Sequence, residues 1–190
     1  MKFFKTAFIS VLLAAQAVPV QSQQAGDQSD IPAEEYAVYA GLIGKSTANP
    51  LVIIDQTVSH TIPAYLVSNL KREFSSISQE TIDDFLRKNE KSHRLTKSFD
   101  IKLKYVLTPR EKINQIFKSR EAGWDDFYKQ FPNSGGYISL SRAGINANGD
   151  QALVYAEHSC GWLCGTGNYM LLAKNDQRWA VQKSFMAWIS

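Results

Sequence analysis

QALVYAEHSCGWLCGTGNYMLLAK, residues 151–174, decides how this chain folds. Two apolar runs, 151–158 and 168–174, enclose both cysteines of the sequence, Cys160 and Cys164, and three of its eleven glycines, Gly161, Gly165 and Gly167. Runs this rich in Leu, Val and Tyr, parted by a glycine-dense segment, read as two strands joined by a loop over residues 158–167. Leu153, Tyr155, Met170 and Leu172 on one parity and Val154, Ala156, Tyr169 and Leu171 on the other leave few polar positions. Both faces of these strands are therefore expected to be at least partly covered.

Working outward, residues 137–145 and 178–189 read as further strands, the last with a bend near Ser184. The connections 146–150 and 175–177 are rich in Asn, Asp and Gly, which tolerate the positive φ of hairpin turns. A four-stranded antiparallel meander is the simplest assembly. Hairpins of a meander turn at alternate ends, so the two Asn-containing turns share one end. The cysteine loop falls at the other, beside Gly135-Gly136 and Trp188-Ile189-Ser190, and that end is the candidate working end.

The residues before the meander read mainly as helices. Tyr36, Tyr39, Ala40 and Ile43 recur at helical spacing and predict a helix over 32–44. Leu51–Ile54 is a short buried strand. Ser78 caps a helix bearing Ile82, Phe85 and Leu86, with Arg87, Lys88 and Lys91 near its C-terminal end. Residues 101–107 alternate apolar and polar as a strand does. Thr108, Pro109 and Glu111 then predict an N-cap, a proline at the first helical position and a capping box, with Ile113, Ile116 and Phe117 buried. Trp124, Phe127, Tyr128 and Phe131 form an aromatic helical stripe expected to pack on the sheet. Residues 56–75 carry no decisive pattern. The expected class is α+β, with helices packed on a mainly antiparallel sheet that ends in the C-terminal meander, in one domain over 31–190.

Residues 1–22 read as a secretory signal, with Lys2 and Lys5 ahead of an apolar run and Val20-Gln21-Ser22 as the cleavage site. The run is shorter than the roughly 20 residues a bilayer span needs, so no membrane anchor is expected after cleavage. Residues 23–30 read as a solvated leader, and the expected location is periplasmic or extracellular. Removing residues 1–22 lowers Lys+Arg from 21 to 19 against 18 Asp+Glu, a net charge of +1. That gives no clustered basic face of the kind nucleic acid requires. The hydrophobic fraction of 44% excludes wholesale disorder.

Four chemistries fit the cysteine loop. A Cys160–Cys164 disulfide suits an exported chain, with Gly161, Gly165 and Gly167 supplying the conformations of a tight ring. A redox pair would prefer Cys-x-x-Cys at a helix N-terminus. Cys160 as a nucleophile needs a histidine base, and His158, two residues away, shares its face if the strand is regular; His60 and His93 are distant in sequence. Zinc would have three ligands, His158, Cys160 and Cys164, where structural sites use four. The disulfide is the favoured reading, and neither cofactor nor metal is expected. Trp162 is a large aromatic at the loop tip, where it either binds a partner or folds back on the sheet. Asp83-Asp84 and Asp125-Asp126 read as solvated helix-face carboxylates.

Gly123-Trp124, Phe127-Tyr128, Ser141-Arg142-Ala143-Gly144-Ile145-Asn146, Ala152-Leu153-Val154-Tyr155, Cys160-Gly161-Trp162-Leu163-Cys164-Gly165, Tyr169-Met170-Leu171-Leu172 and Trp188-Ile189-Ser190, with Thr81-Ile82-Asp83-Asp84-Phe85-Leu86 further back, resemble a set of uncharacterised exported bacterial proteins. The resemblance implies an exported bacterial setting and a self-contained domain, and it carries no catalytic residue across. The expected function is a non-catalytic binding or interaction protein for an unknown protein or small ligand, with Trp162, Gly161, Gly165 and Gly167 in the binding loop. The alternative is a hydrolase or transferase using Cys160 with a histidine base.

Overall fold

The computed structural model describes residues 31–44, 46–59, 62–119 and 121–190. The expected signal and leader, residues 1–30, lie outside the described residues, as does His60. The chain runs α1 (Ala33–Ile43), β1 (Leu51–Ile54), α2 (Ala64–Glu73), α3 (Gln79–Lys88), β2 (Tyr105–Thr108), α4 (Arg110–Ile116), α5 (Gly123–Gln130), β3 (Tyr137–Leu140), β4 (Gly144–Ile145), β5 (Gln151–Gly161), β6 (Cys164–Asn175) and β7 (Arg178–Ile189). The class is α+β. One mixed sheet has the order β2-β1-β3-β5-β6-β7, with β4 paired to β5 off this path. β1 is parallel to β2 and to β3, and every pairing from β3 onward is antiparallel.

The meander has the expected arrangement, with its first strand broken. Residues 137–145 form β3 and β4, both on β5, separated by Ser141-Arg142-Ala143. An ionic cluster holds that break: Glu35 of α1, fully buried, accepts from Arg142 Nε and Nη2 at 2.8 and 2.6 Å and from the Ala143 N–H at 3.1 Å. Lys88 of α3 bridges Glu35 and Asp84 at 3.2 and 2.7 Å, and Asp84 accepts from the Ile145 N–H. Asp83 is exposed, but Asp84 is thus a half-buried ion-pair partner, not the solvated carboxylate expected. Burial alone would raise its pKa, but the hydrogen bonds from Lys88 and the Ile145 N–H, with the Lys88 and Arg87 charges, hold it below the usual carboxylate value.

Cross-strand register sorts the two faces. Leu153, Tyr155, Tyr169 and Leu171 share one face, where Leu70, Phe74 and Phe85 from the region of α2 and α3 cover them. The expected parity sets were therefore wrong across the hairpin, because pairing runs Leu153 to Leu171, not Leu153 to Met170 or Leu172. Ala152, Val154 and Leu172 face the other way onto Val38 and Tyr39 of α1. Over β1, Val52 and Ile54 pack with Ile113, Ile116, Phe127 and Phe131 of α4 and the α5 region. The aromatic stripe thus packs on the sheet, and Trp124 stacks on Tyr137 at 5.9 Å.

Three local readings change. Residues 56–75, unassigned from sequence, contain α2. The strand expected over 101–107 starts only at Tyr105, because its edge position pairs it with β1 alone over four residues. No capping box forms before α4: Pro109 is itself the N-cap, without a side-chain hydrogen bond, and Thr108 Oγ1 is buried without a partner. The Ser78 cap of α3 does form, Ser78 Oγ accepting from the Thr81 N–H at 3.1 Å.

Candidate functional site

The expected ten-residue cysteine loop is mostly strand. β5 continues to Gly161 and β6 begins at Cys164, leaving Trp162-Leu163 as a two-residue turn. The register passes from Ser159–Gly165 to Gly161–Cys164, so Cys160 is an extra bulge residue. A bulge re-aims the side chains around it, and here it turns Cys160 towards Cys164. The two are disulfide-linked with Cα atoms 5.1 Å apart.

The glycines serve a different purpose from the one expected. Among the described residues positive φ occurs at Gly136 and Gly149 and at Asn133, Asp176 and Gln177, but not at Gly161, Gly165 or Gly167. Gly165 and Gly167 instead form a bare track on β6 under the Trp188 indole: a Cβ at Gly167 would run into Trp188 Nε1 and the Tyr155 hydroxyl, and one at Gly165 into Ser190 and Trp188. Glycines two apart on a strand strip one face of side chains, which is the sequence signal that could have found this packing. Trp188 Nε1 donates to the Tyr155 hydroxyl at 2.6 Å, and that hydroxyl donates to Glu157 Oε1 at 3.0 Å. Burial first, and then the Glu157 carboxylate, push the Tyr155 phenol up to about 12, against the opposing Trp188 hydrogen bond.

On the opposite face the sheet outruns its helix. Strands of 11 and 12 residues extend about 36 Å or more, whereas a helix is about 10–12 Å wide. α1 lies towards the end bearing the Asn-containing turns, with Gly41 against Trp179 and Glu34 paired to Lys174. The Ala156–Asn168 and His158–Thr166 pairs are left beyond it. There a groove of about 720 Å³ opens. Its apolar surface includes Leu42, Ile138, Ala156 and Met170; Ser46, Asn133, Thr166, Asn168 and His158 supply polar groups.

His158 stands where this groove meets the bulge. Its Nε2 lies 2.6 Å from the Gly135 carbonyl, which only accepts, so the proton sits on Nε2 and Nδ1 presents its lone pair. Nδ1 is 3.8 Å from Cys160 Sγ. The Tyr128 hydroxyl of α5 donates to the Cys160 carbonyl at 2.8 Å, and burial raises its pKa. Gly136, at φ +92°, packs so closely on Ser159 and Cys160 that a Cβ there would meet their backbone.

The structure thus brings His158, Cys160 and Cys164 together and leaves His93 elsewhere, its N–H on Thr57 beside the Gln56–Arg94 bridge. Among the described residues no three His, Cys, Asp or Glu side chains gather into a metal-holding group, and both sulfurs of the zinc reading are spent in the bridge. Trp162 and Leu163 stand out at the turn, 58% and 89% exposed. Among the described residues no helix is long and apolar enough to cross a membrane. Comparison with known proteins assigns no family: no protein-family model matches the chain, and neither does any curated protein or solved structure.

Proposed function

We propose that this chain is an exported, non-catalytic binding protein that takes a small, mostly apolar, uncharged ligand in the groove between α1, residues 46–48, residues 133–136 and the cysteine hairpin. One observation carries the reading: a groove of about 720 Å³ with a mainly aliphatic floor and a polar rim that includes His158, while the carboxylate of the neighbouring Glu157 is engaged by the Tyr155 hydroxyl. Small-molecule sites commonly measure about 300–1,000 Å³ and combine apolar walls with a few hydrogen-bonding groups. Export is supported by the disulfide, which persists in oxidising compartments.

The neutral dye Nile red tests it. Wild-type protein is expected to bind the dye, and Ala156→Trp, which fills the floor, to weaken binding at least tenfold with its melting temperature retained. Dye binding that survives Ala156→Trp but is lost in Leu163→Asp would sink the groove reading and move the binding surface to the turn.

The alternative, a hydrolase or transferase with Cys160 as nucleophile, is favoured by the His158 Nδ1 contact with its sulfur. It requires a free thiol. Peptide mapping of protein isolated without reductant is expected to find Cys160 and Cys164 linked; an alkylatable Cys160 would overturn the binding reading in favour of this one.

A further inference from the structure

We propose that the Cys160–Cys164 bridge is exchange-competent: a dithiol attacks Cys164 Sγ, Cys160 departs as the leaving sulfur, and His158 receives it. This goes beyond the binding reading and does not depend on it.

The two sulfurs stand in unequal surroundings. Cys164 is on the exposed side of the turn and Cys160 is half-buried. Among the described residues the imidazole contact is made to Cys160, with His158 Nδ1 at 3.8 Å, and that ring is fixed in tautomer and orientation by the 2.6 Å hydrogen bond to the Gly135 carbonyl. The Cys160 backbone is also braced, by Tyr128 on its carbonyl and by Gly136 against its Cα. A bridge serving only to close the turn has no use for this, because β5 and β6 already pair up to Gly161 and Cys164. The ring spans a sequence separation of only four, so opening it releases little chain entropy.

Exchange runs in two steps. The attacking thiol loses its proton, which passes through solvent to His158 Nδ1, and its thiolate attacks Cys164 Sγ in line with the bridge. A new sulfur–sulfur bond forms at Cys164, the old one breaks, and its electron pair leaves on Cys160 Sγ, which faces the imidazolium. An adjacent positive imidazolium lowers a thiol pKa and stabilises the departing thiolate. The second thiol of the dithiol then attacks its own sulfur in the mixed disulfide and expels Cys164, whose thiolate takes up the remaining proton. The dithiol ends oxidised and the cysteine pair reduced by two electrons. An exposed bridge is also the kind that exchanges readily.

Three readouts test this, two of them on unaltered protein. Oxidised protein treated briefly with glutathione, and quenched in acid before a second glutathione can attack the mixed disulfide, is expected to carry glutathione on Cys164 and a free thiol on Cys160. Fully reduced protein is expected to alkylate at Cys160 with a pKa below the roughly 8.5 of an ordinary thiol. His158→Gln, whose side-chain amide reaches the place of the ring Nε2–H and can still donate to the Gly135 carbonyl, is expected to slow reduction by dithiothreitol at least tenfold and return the Cys160 pKa to the ordinary value. Equal modification of the two sulfurs, an ordinary Cys160 pKa in the wild type, or a reduction rate unmoved by a folded His158→Gln would each overturn the proposal. If that variant does not fold, the two wild-type readouts decide alone. Loss of Nile red binding leaves these outcomes unchanged, so the two proposals fail separately.

Discussion

Two clamps of opposite character hold this chain. Glu35 and Arg142 are 107 residues apart in sequence and meet in the interior, joining α1 to the break between β3 and β4 and, through Lys88 and Asp84, to α3. Cys160 and Cys164 are four apart and meet at an exposed turn. The covalent clamp is conspicuous in the sequence but constrains only a few residues. The ionic one is inconspicuous, yet three elements depend on it, and breaking it strands charge in a medium that solvates charge poorly. What a contact connects and how buried it is matter more here than whether it is covalent.

The sharpest way to break that comparison is Glu35→Ala, expected to cost about 3–5 kcal/mol because Arg142 stays buried without its carboxylate. Chemical denaturation measures it. Adding Arg142→Met should recover part of the loss, and a Glu35→Ala loss below that of opening the disulfide would reverse the ranking of the clamps. Next comes Gly167→Ala, expected to cost about 1–3 kcal/mol by driving the Trp188 indole off β6 and to change tryptophan fluorescence. Reduction, or Cys160→Ser, should cost on the order of 2 kcal/mol or less and leave the far-ultraviolet circular dichroism unchanged; global unfolding would show that the hairpin belongs to the core.

Acid should act on the ionic clamp alone, and gently. Asp84 is held below its ordinary pKa, so its contribution is complete above the unfolded-state value of about 3.9 and is lost as pH falls through the folded-state value. Stability measured downward from pH 5 should decline in the wild type and decline less in Asp84→Asn. At the other extreme Tyr155, raised to about 12, stabilises the fold below its unfolded value near 10, and that contribution disappears as pH rises towards 12. Trp162→Ala is the smallest change, within about 0.5 kcal/mol, because its exposed ring packs little. A larger loss by thermal melting would mean that the turn is braced by its tip as well as by its bridge.

Much of this was legible because it is local. The α1 spacing, the Ser78 cap, the β6–β7 turn and the order of the meander strands follow from which side chains recur at 3.6 or 2 residues and which tolerate positive φ. The turn at Trp162-Leu163 was misjudged because the glycines beside it were read for conformational freedom when they answer to a tryptophan arriving from β7. Asp84 was misread for a similar reason, since its helix gives no sign that Lys88 and the Ile145 N–H converge on it. His158 beside Cys160 was within reach, as the i, i+2 spacing suggested a shared face, but the bulge and the Gly135 carbonyl that set its tautomer were not.

By itself the sequence favoured the cysteine pairing and determined the class of the fold and the end of the meander at which the hairpin would lie, since each depends on short separations and on the alternation of strand faces. Only the tertiary structure decided the parallel joining of β1 to β2 and β3, the buried Glu35–Arg142 pair and the groove beside His158. Those arise where segments far apart along the chain come together, and no local periodicity encodes which distant partner will be met.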